Sequence, residues 1–257
     1  MRLVHRLRAT PLTLLAAALL PAASPAQDFH GLSNSISAEY DIRAFREGVA
    51  MMANPALEAG RRAVLENDLA PEEIAMHSLH GRGELGFERD PAVSEEVHAA
   101  LVESIAPAGS QARDSLREAL HGGEVWDGFT ELLASAGYDS GNFADVMTAW
   151  YVISWEVVND RDAGLTPEGI AAVNDRIVAI LCVDPHIAAL TPAELQQAAE
   201  AMGLLATLAG IARARMEARG QEQELSRLRE GLHGAILDTG VDLAGLVLTP
   251  DGFVEHR

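Results

Sequence analysis

Residues 143–159 read FADVMTAWYVISWEVVN, and the fold follows from what this stretch excludes. On a helical wheel at about 100° per residue it leaves one narrow polar strip, Asp145 and Glu156 with Ala149 and Val152 between them. Phe143, Met147, Trp150, Ile153 and Val157 fill one broad side, and Tyr151 and Trp155 another. A helix that is apolar in almost every direction has to be covered all round, so the chain must supply other helices to surround it. The stretch 201–212, with Met202, Leu204, Leu205, Leu208 and Ile211, has the same character. About 12 residues are too few to cross a bilayer, so it predicts a second core helix within 193–218. The expected fold class is all-α, a multi-helix bundle with two central apolar helices at about 143–159 and 193–218.

The punctuation around these helices is legible. Asn54-Pro55, Asp90-Pro91, Thr166-Pro167, Asp184-Pro185 and Thr191-Pro192 each pair a capping side chain with proline, the combination favoured at N-cap and N1. Thr191 with Glu194 forms a capping-box pattern, and Asn142 with Asp145 a looser one. Between these marks the spacing predicts helices near 38–52, 55–67, 92–105, 111–121, 124–136, 143–159, 167–182, 193–218 and 221–238, with Gly122, Gly137 and Gly220 as stops. Strand-like alternation occurs only near the end. There Leu246, Val247, Leu248 and Thr249 precede Pro250-Asp251-Gly252 and Phe253-Val254, which predicts a minor C-terminal hairpin.

Residues 1–26 read as a cleavable secretory signal. Arg2, Arg6 and Arg8 stand without an acid before an apolar run of about 11 residues, Pro21 breaks that run, and small residues lead to cleavage between Ala26 and Gln27. The run is short of the roughly 20 residues that a membrane span needs. Removing three arginines from the 19 basic residues leaves 16 against 38 acidic ones, a formal charge of −22, which disfavours nucleic acid as a partner. No basic residue is lysine, and the single cysteine, Cys182, excludes an intramolecular disulfide and reads as a small core residue. Residues 27–86 read as a helical arm ending in the glycine-rich linker 81–86, and 87–257 as the bundle domain.

Several residue sets invite chemistry. Gly81, Gly83 and Gly86 have GxGxxG spacing, but no strand precedes them and a linker is expected. Glu95 with His98, Glu156, Glu200 and Glu230 with His233 make up the ligand inventory of a di-iron bundle. The wheel turns Glu95, His98 and Glu230 away from the apolar faces, toward water. Glu73, His77 and His80 lie one turn apart, a spacing able to clasp a divalent metal, with surface histidines as the plainer reading. Residues 160–164 open like a calcium loop, but the glycine comes one place early and a helix-to-helix turn is expected. Ser140 reads as part of a capping turn. Trp150, Tyr151 and Trp155 read as core aromatics. Gln197 and Glu200 at the start of the second central helix, with Glu156 on the first, form the candidate catalytic set, since a glutamate held in an apolar site titrates abnormally.

The run 87–93 (FERDPAV), the later Asn142-Phe143-Ala144-Asp145 leading to Trp150, Tyr151 and Trp155, Gln197 with Glu200 and Ala201, and the ending 248–253 (LTPDGF) together resemble a family of exported bacterial helical proteins of unknown function, over about 87–253. The resemblance implies an exported all-helical domain with no assigned activity, so it transfers no catalytic residue.

The leading expectation is a periplasmic or secreted, non-enzymatic helical module that binds a protein or an envelope component, with no cofactor. A carboxylate enzyme using Glu200, Gln197 and Glu156, and a metal-binding protein using His77, His80 and Glu73, are the alternatives. Export is tested by fusing residues 1–28 to a reporter active only outside the cytoplasm. Activity is expected, and a silent reporter refutes the leader.

Overall fold

The computed structural model describes residues 54–65, 69–105 and 110–256. The expected leader, its cleavage point and the helix expected near 38–52 lie outside the described residues. Ten α-helices carry the described chain: α1 Asn54–Leu65, α2 Pro71–Gly81, α3 Pro91–Ile105, α4 Gln111–His121, α5 Glu124–Ser135, α6 Phe143–Asn159, α7 Pro167–Val183, α8 Pro185–Ala188, α9 Pro192–Arg219 and α10 Glu222–Leu237. A two-stranded antiparallel hairpin, β1 Leu246–Thr249 and β2 Gly252–Glu255, follows them, with Leu248 opposite Phe253. The fold is all-α with a minor hairpin.

α6 starts where its cap dictates. The Asn142 side chain accepts from the Ala144 and Asp145 N–H groups, and Asp160 ends the helix in the left-handed region at φ 54°. Every residue from Phe143 to Val157 is buried. α7 runs antiparallel to α6, since Asn174 bonds Asp145 and Thr148 while the later α6 residues face the start of α7. α9 runs parallel to it: Gly210 faces Ile153, and Arg213 donates to the Glu156 carbonyl at 3.0 Å. The long α9 opens with the expected capping box of Thr191 and Glu194 and stops at Gly220, φ 65°. α10 folds back along it, and the hairpin is anchored by the Trp155 indole N–H, which donates to the Leu246 carbonyl at 3.0 Å.

One feature departs from the reading of the sequence. The glycine-rich stretch 81–86 is a 3-10 turn at Arg82–Leu85, followed by a bridge between Gly86 and Asn142. Leu85 is buried and Gly81 packs against Cys182, so chain contacts fix a segment that glycine content alone suggested was a linker. α1 likewise contributes Ala56, Ala59, Ala63 and Val64 to the same apolar cluster as α6 and α9. The polar strip of α6 is enclosed with the rest of the helix, since both Asp145 and Glu156 are buried. Asp145 accepts from the Asp139 N–H and from Asn174, and Glu156 accepts from the Ala163 N–H, so each carboxyl is met by a donor from a flanking turn or a facing helix.

Gly203 is one of the positions where helices pack closely. A side-chain carbon there would lie 2.6 Å from Phe129 Cε1 and 2.9 Å from Trp126 Cζ3, whereas at Gly210 the nearest atom is an ordinary 3.7 Å away. Gly203→Val is expected to lose roughly 1–3 kcal/mol by overpacking, while Gly210→Ala gains up to about 1 kcal/mol of helix propensity. Urea denaturation of both variants checks the contrast, and a Gly203→Val midpoint equal to wild type contradicts the packing.

Candidate functional site

A concave feature among the described residues lies beside α6. Leu132, Leu133, Ser135 and Ala136 at the end of α5, with Tyr138, form one wall, and Thr148, Ala149, Val152 and Ile153 of α6 form the floor. Gly164 with Pro167 and Ile170 at the start of α7 closes the far side, around a volume of about 320 Å³. The floor contains the small residue Ala149, and the bulkier α6 side chains point elsewhere into the core. That geometry leaves an open, mostly apolar slot on an otherwise covered helix. Thr148 is already committed, donating to the Ala144 carbonyl and accepting from Asn174.

Glu200 forms a separate, polar cluster. It is fully buried, and its Oε1 accepts from Arg89 Nε at 2.8 Å, Ser94 Oγ at 2.7 Å and Gln196 Nε2 at 2.8 Å. The Gln196 amide also pairs with the Asp90 backbone, accepting from its N–H and donating to its carbonyl, each at 2.8 Å. Arg89 lies 5.1 Å from the Trp126 ring centroid, a cation–π contact that holds the guanidinium in place. Together these bonds fasten the start of α3 to α9. Glu200 Oε2 and His98 Nε2 are buried in the same region without a hydrogen-bond partner. Burial lowers the His98 pKa, against the opposing pull of Glu200.

The candidate set taken from the sequence is thus divided. Glu200 is buried as the catalytic reading required, but Gln197 is exposed, and the amide beside Glu200 belongs to Gln196. One residue is about 100° of helix rotation, enough to change face. Gln196, Glu200, Gly203 and Thr207 form a small and polar seam at i, i+4, i+7 and i+11, which is the signal that identifies Gln196. Glu156 does not approach Glu200. Its neighbour on α9 is Arg213, about 13 positions from Glu200, or roughly 20 Å at 1.5 Å per residue.

The other candidates scatter as well. Glu95 and Glu230 are exposed as the wheel indicated, but His98 is buried. α3 packs against α4 as well as α9, and His98 meets His121 edge to face, ring centroids 5.7 Å apart. His233 Nε2 pairs with Asp242 at 2.9 Å. Glu73 caps the first turn of α2 by accepting from the Ala70 N–H, His77 is half-buried, and the His80 side chain lies outside the described residues. Among the described residues no group of three His, Cys, Asp or Glu side chains is placed to hold a metal. Residues 160–165 form the expected helix-to-helix turn, Ser140 accepts from Thr130, and burial pushes the Cys182 thiol up to about 11.

A family model described as a family of unknown function (DUF6683) matches residues 4–255. The chain belongs to this family. No curated protein and no solved structure matches it. Membership in DUF6683 therefore brings no activity or ligand with it, and function has to be argued from the cleft, the Glu200 cluster and Glu156.

Glu156 is the residue with the clearest pH signature. Burial pushes its carboxyl up to about 7, opposed by the Ala163 N–H and Arg213 and assisted by the charge of Asp162. A folded-state pKa raised above the unfolded value makes stability complete below about pH 4.5 and lost progressively as pH rises to about 7. The loss attributable to this group is roughly 3 kcal/mol, at about 1.4 kcal/mol per pH unit. Denaturant midpoints between pH 4.5 and 7.5 are expected to fall for wild type and to fall less for Glu156→Gln. Parallel curves for the two proteins contradict the assignment.

Proposed function

We propose that this chain is an exported, non-enzymatic helical module whose cleft beside α6 takes a small uncharged apolar group, the acyl or aromatic part of a cell-envelope component. The observation that carries the reading is the slot of about 320 Å³ floored by Ala149, Val152 and Ile153 and walled by Leu132, Leu133 and Ile170. It falls at the lower end of the roughly 300–1,000 Å³ range of small-molecule sites, and its few polar groups sit among apolar walls, as such sites require. No carboxylate, imidazole or thiol lines it, so its chemistry favours retention over turnover. The acid–base alternative needs its carboxyls within reach of one substrate, and Glu156 meets α9 at Arg213, roughly 20 Å of helix rise from Glu200. The signal-like residues 1–26 and the acid excess support an exported protein that avoids nucleic acid. No helix among the described residues is long and apolar enough to cross a membrane.

The uncharged apolar fluorophore N-phenyl-1-naphthylamine tests the cleft. Wild type is expected to bind it with an emission increase and a Kd on the order of 10 µM. Ala149→Trp, which fills the floor, is expected to weaken binding at least about tenfold while far-UV circular dichroism is unchanged. Absence of binding by wild type, or equal binding by the variant, overturns the reading.

A further inference from the structure

One wall of the cleft is a turn. α6 and α7 both line it, and the chain that joins them, residues 160–166, supplies Gly164 to the rim and delivers Pro167 and Ile170 to the far side. From outside, this turn is held by arginines. Arg213 donates to the Glu156 and Arg161 carbonyls and to the Asp160 side chain, and Arg229 reaches Asp160 Oδ1 at 2.6 Å. Local bonds add the Asp162 side chain, which accepts from the Gly164 N–H, and the Thr166 N–H, which donates to Ala163. From inside, one side chain holds it: the Glu156 carboxyl accepts the Ala163 N–H at 2.8 Å, and Ala163 is itself buried.

We infer that Glu156 is a proton-dependent latch on this turn, holding the rim of the cleft in place when neutral and releasing it when ionised. The inference rests on the cleft being the binding site. Its physical basis is the surroundings of the carboxyl. The charges acting on it are Asp162 on the turn and Arg213 on α9, and Asp160, Arg161, Glu217 on α9 and Arg229 on α10 surround those two. Arg213 is already shared among Asp160, Glu217 and two backbone carbonyls. Arg229 is engaged by Asp160, and Asp162 adds a like charge. An ionised Glu156 therefore has the Ala163 N–H as its donor and no guanidinium paired with its carboxyl, which is too little to replace the water that it loses on burial. Lifting the turn admits water at the cost of its local hydrogen bonds, the arginine contacts to Asp160 and Arg161 and the burial of Ala163. Burial also places the transition near neutrality, where small pH differences between compartments act on it.

Amide hydrogen exchange at Ala163, Gly164 and Thr166, corrected for intrinsic rates, tests the latch at pH 5.5, 7.0 and 8.5. Wild-type protection is expected to fall by about tenfold or more across this range. Glu156→Gln should keep it constant, and Ala163→Pro, which removes the donor, should lack it at every pH. Affinity for N-phenyl-1-naphthylamine should fall in parallel with protection in wild type and stay level in Glu156→Gln. Wild-type protection that does not change with pH, or the same loss in Glu156→Gln, overturns the latch. Binding that ignores a turn seen to open overturns the gating. Failure of the fluorophore to bind at any pH overturns the cleft reading instead, and loss of protection alone would still establish the latch.

Discussion

α6 has no face to give to water, and the rest of the molecule is arranged around that constraint. All its side chains from Phe143 to Val157 are buried, so α7, α9, α10 and the C-terminal hairpin each cover a part of it. Covering a helix completely also covers whatever polar groups it carries, and each must then find a partner or incur a desolvation cost of the order of 1–3 kcal/mol. Asp145, Thr148 and Asn174 satisfy one another between α6 and α7, and Trp155 finds a carbonyl in the hairpin. The Ser154 hydroxyl finds no partner among the described residues, and Glu156 is the less well served of the two carboxyls. One N–H from the following turn is what holds its carboxyl, and that imbalance lifts its pKa toward neutrality.

The second central helix, α9, meets α5 and α3 through small and polar residues. Gly203 lets α9 approach the Phe129 and Trp126 rings of α5, and the seam Gln196, Glu200, Gly203 and Thr207 lies against α3 and α5. The polar start of that seam clamps residues 89–94 to α9 through Glu200 and Gln196. A buried ion pair of this kind is a weak source of net stability, because desolvating the charges offsets most of their attraction. It is a strong source of specificity: a shifted α3 would leave Glu200 without Arg89 and Ser94. The cleft arises from the opposite circumstance. Where α6 presents Ala149 and α7 has only begun, the covering helices do not close, and an apolar slot remains.

The apolar periodicity of 143–159 and 201–212 fixes the two central helices because only enclosure satisfies such sequences, and proline after a capping residue marks α3, α7, α8 and α9 to within a residue or two. Leu246 to Phe253 carries enough alternation to predict the hairpin. These are local properties, and the sequence by itself determined them. Which side of Gln196 and Gln197 turns inward, whether His98 meets water or a neighbouring imidazole, and whether Gly81–Gly86 hangs free or packs on Cys182 depend on residues far away in the chain. A helical wheel assumes one buried face, and α3 buries two. The separation of Glu156 from Glu200 depends on α9 running parallel to α6, and the cleft exists because the end of α5 and the start of α7 do not close over the middle of α6. Only the tertiary structure decided these points, since no stretch of sequence encodes the relative placement of elements that touch solely after the core has formed.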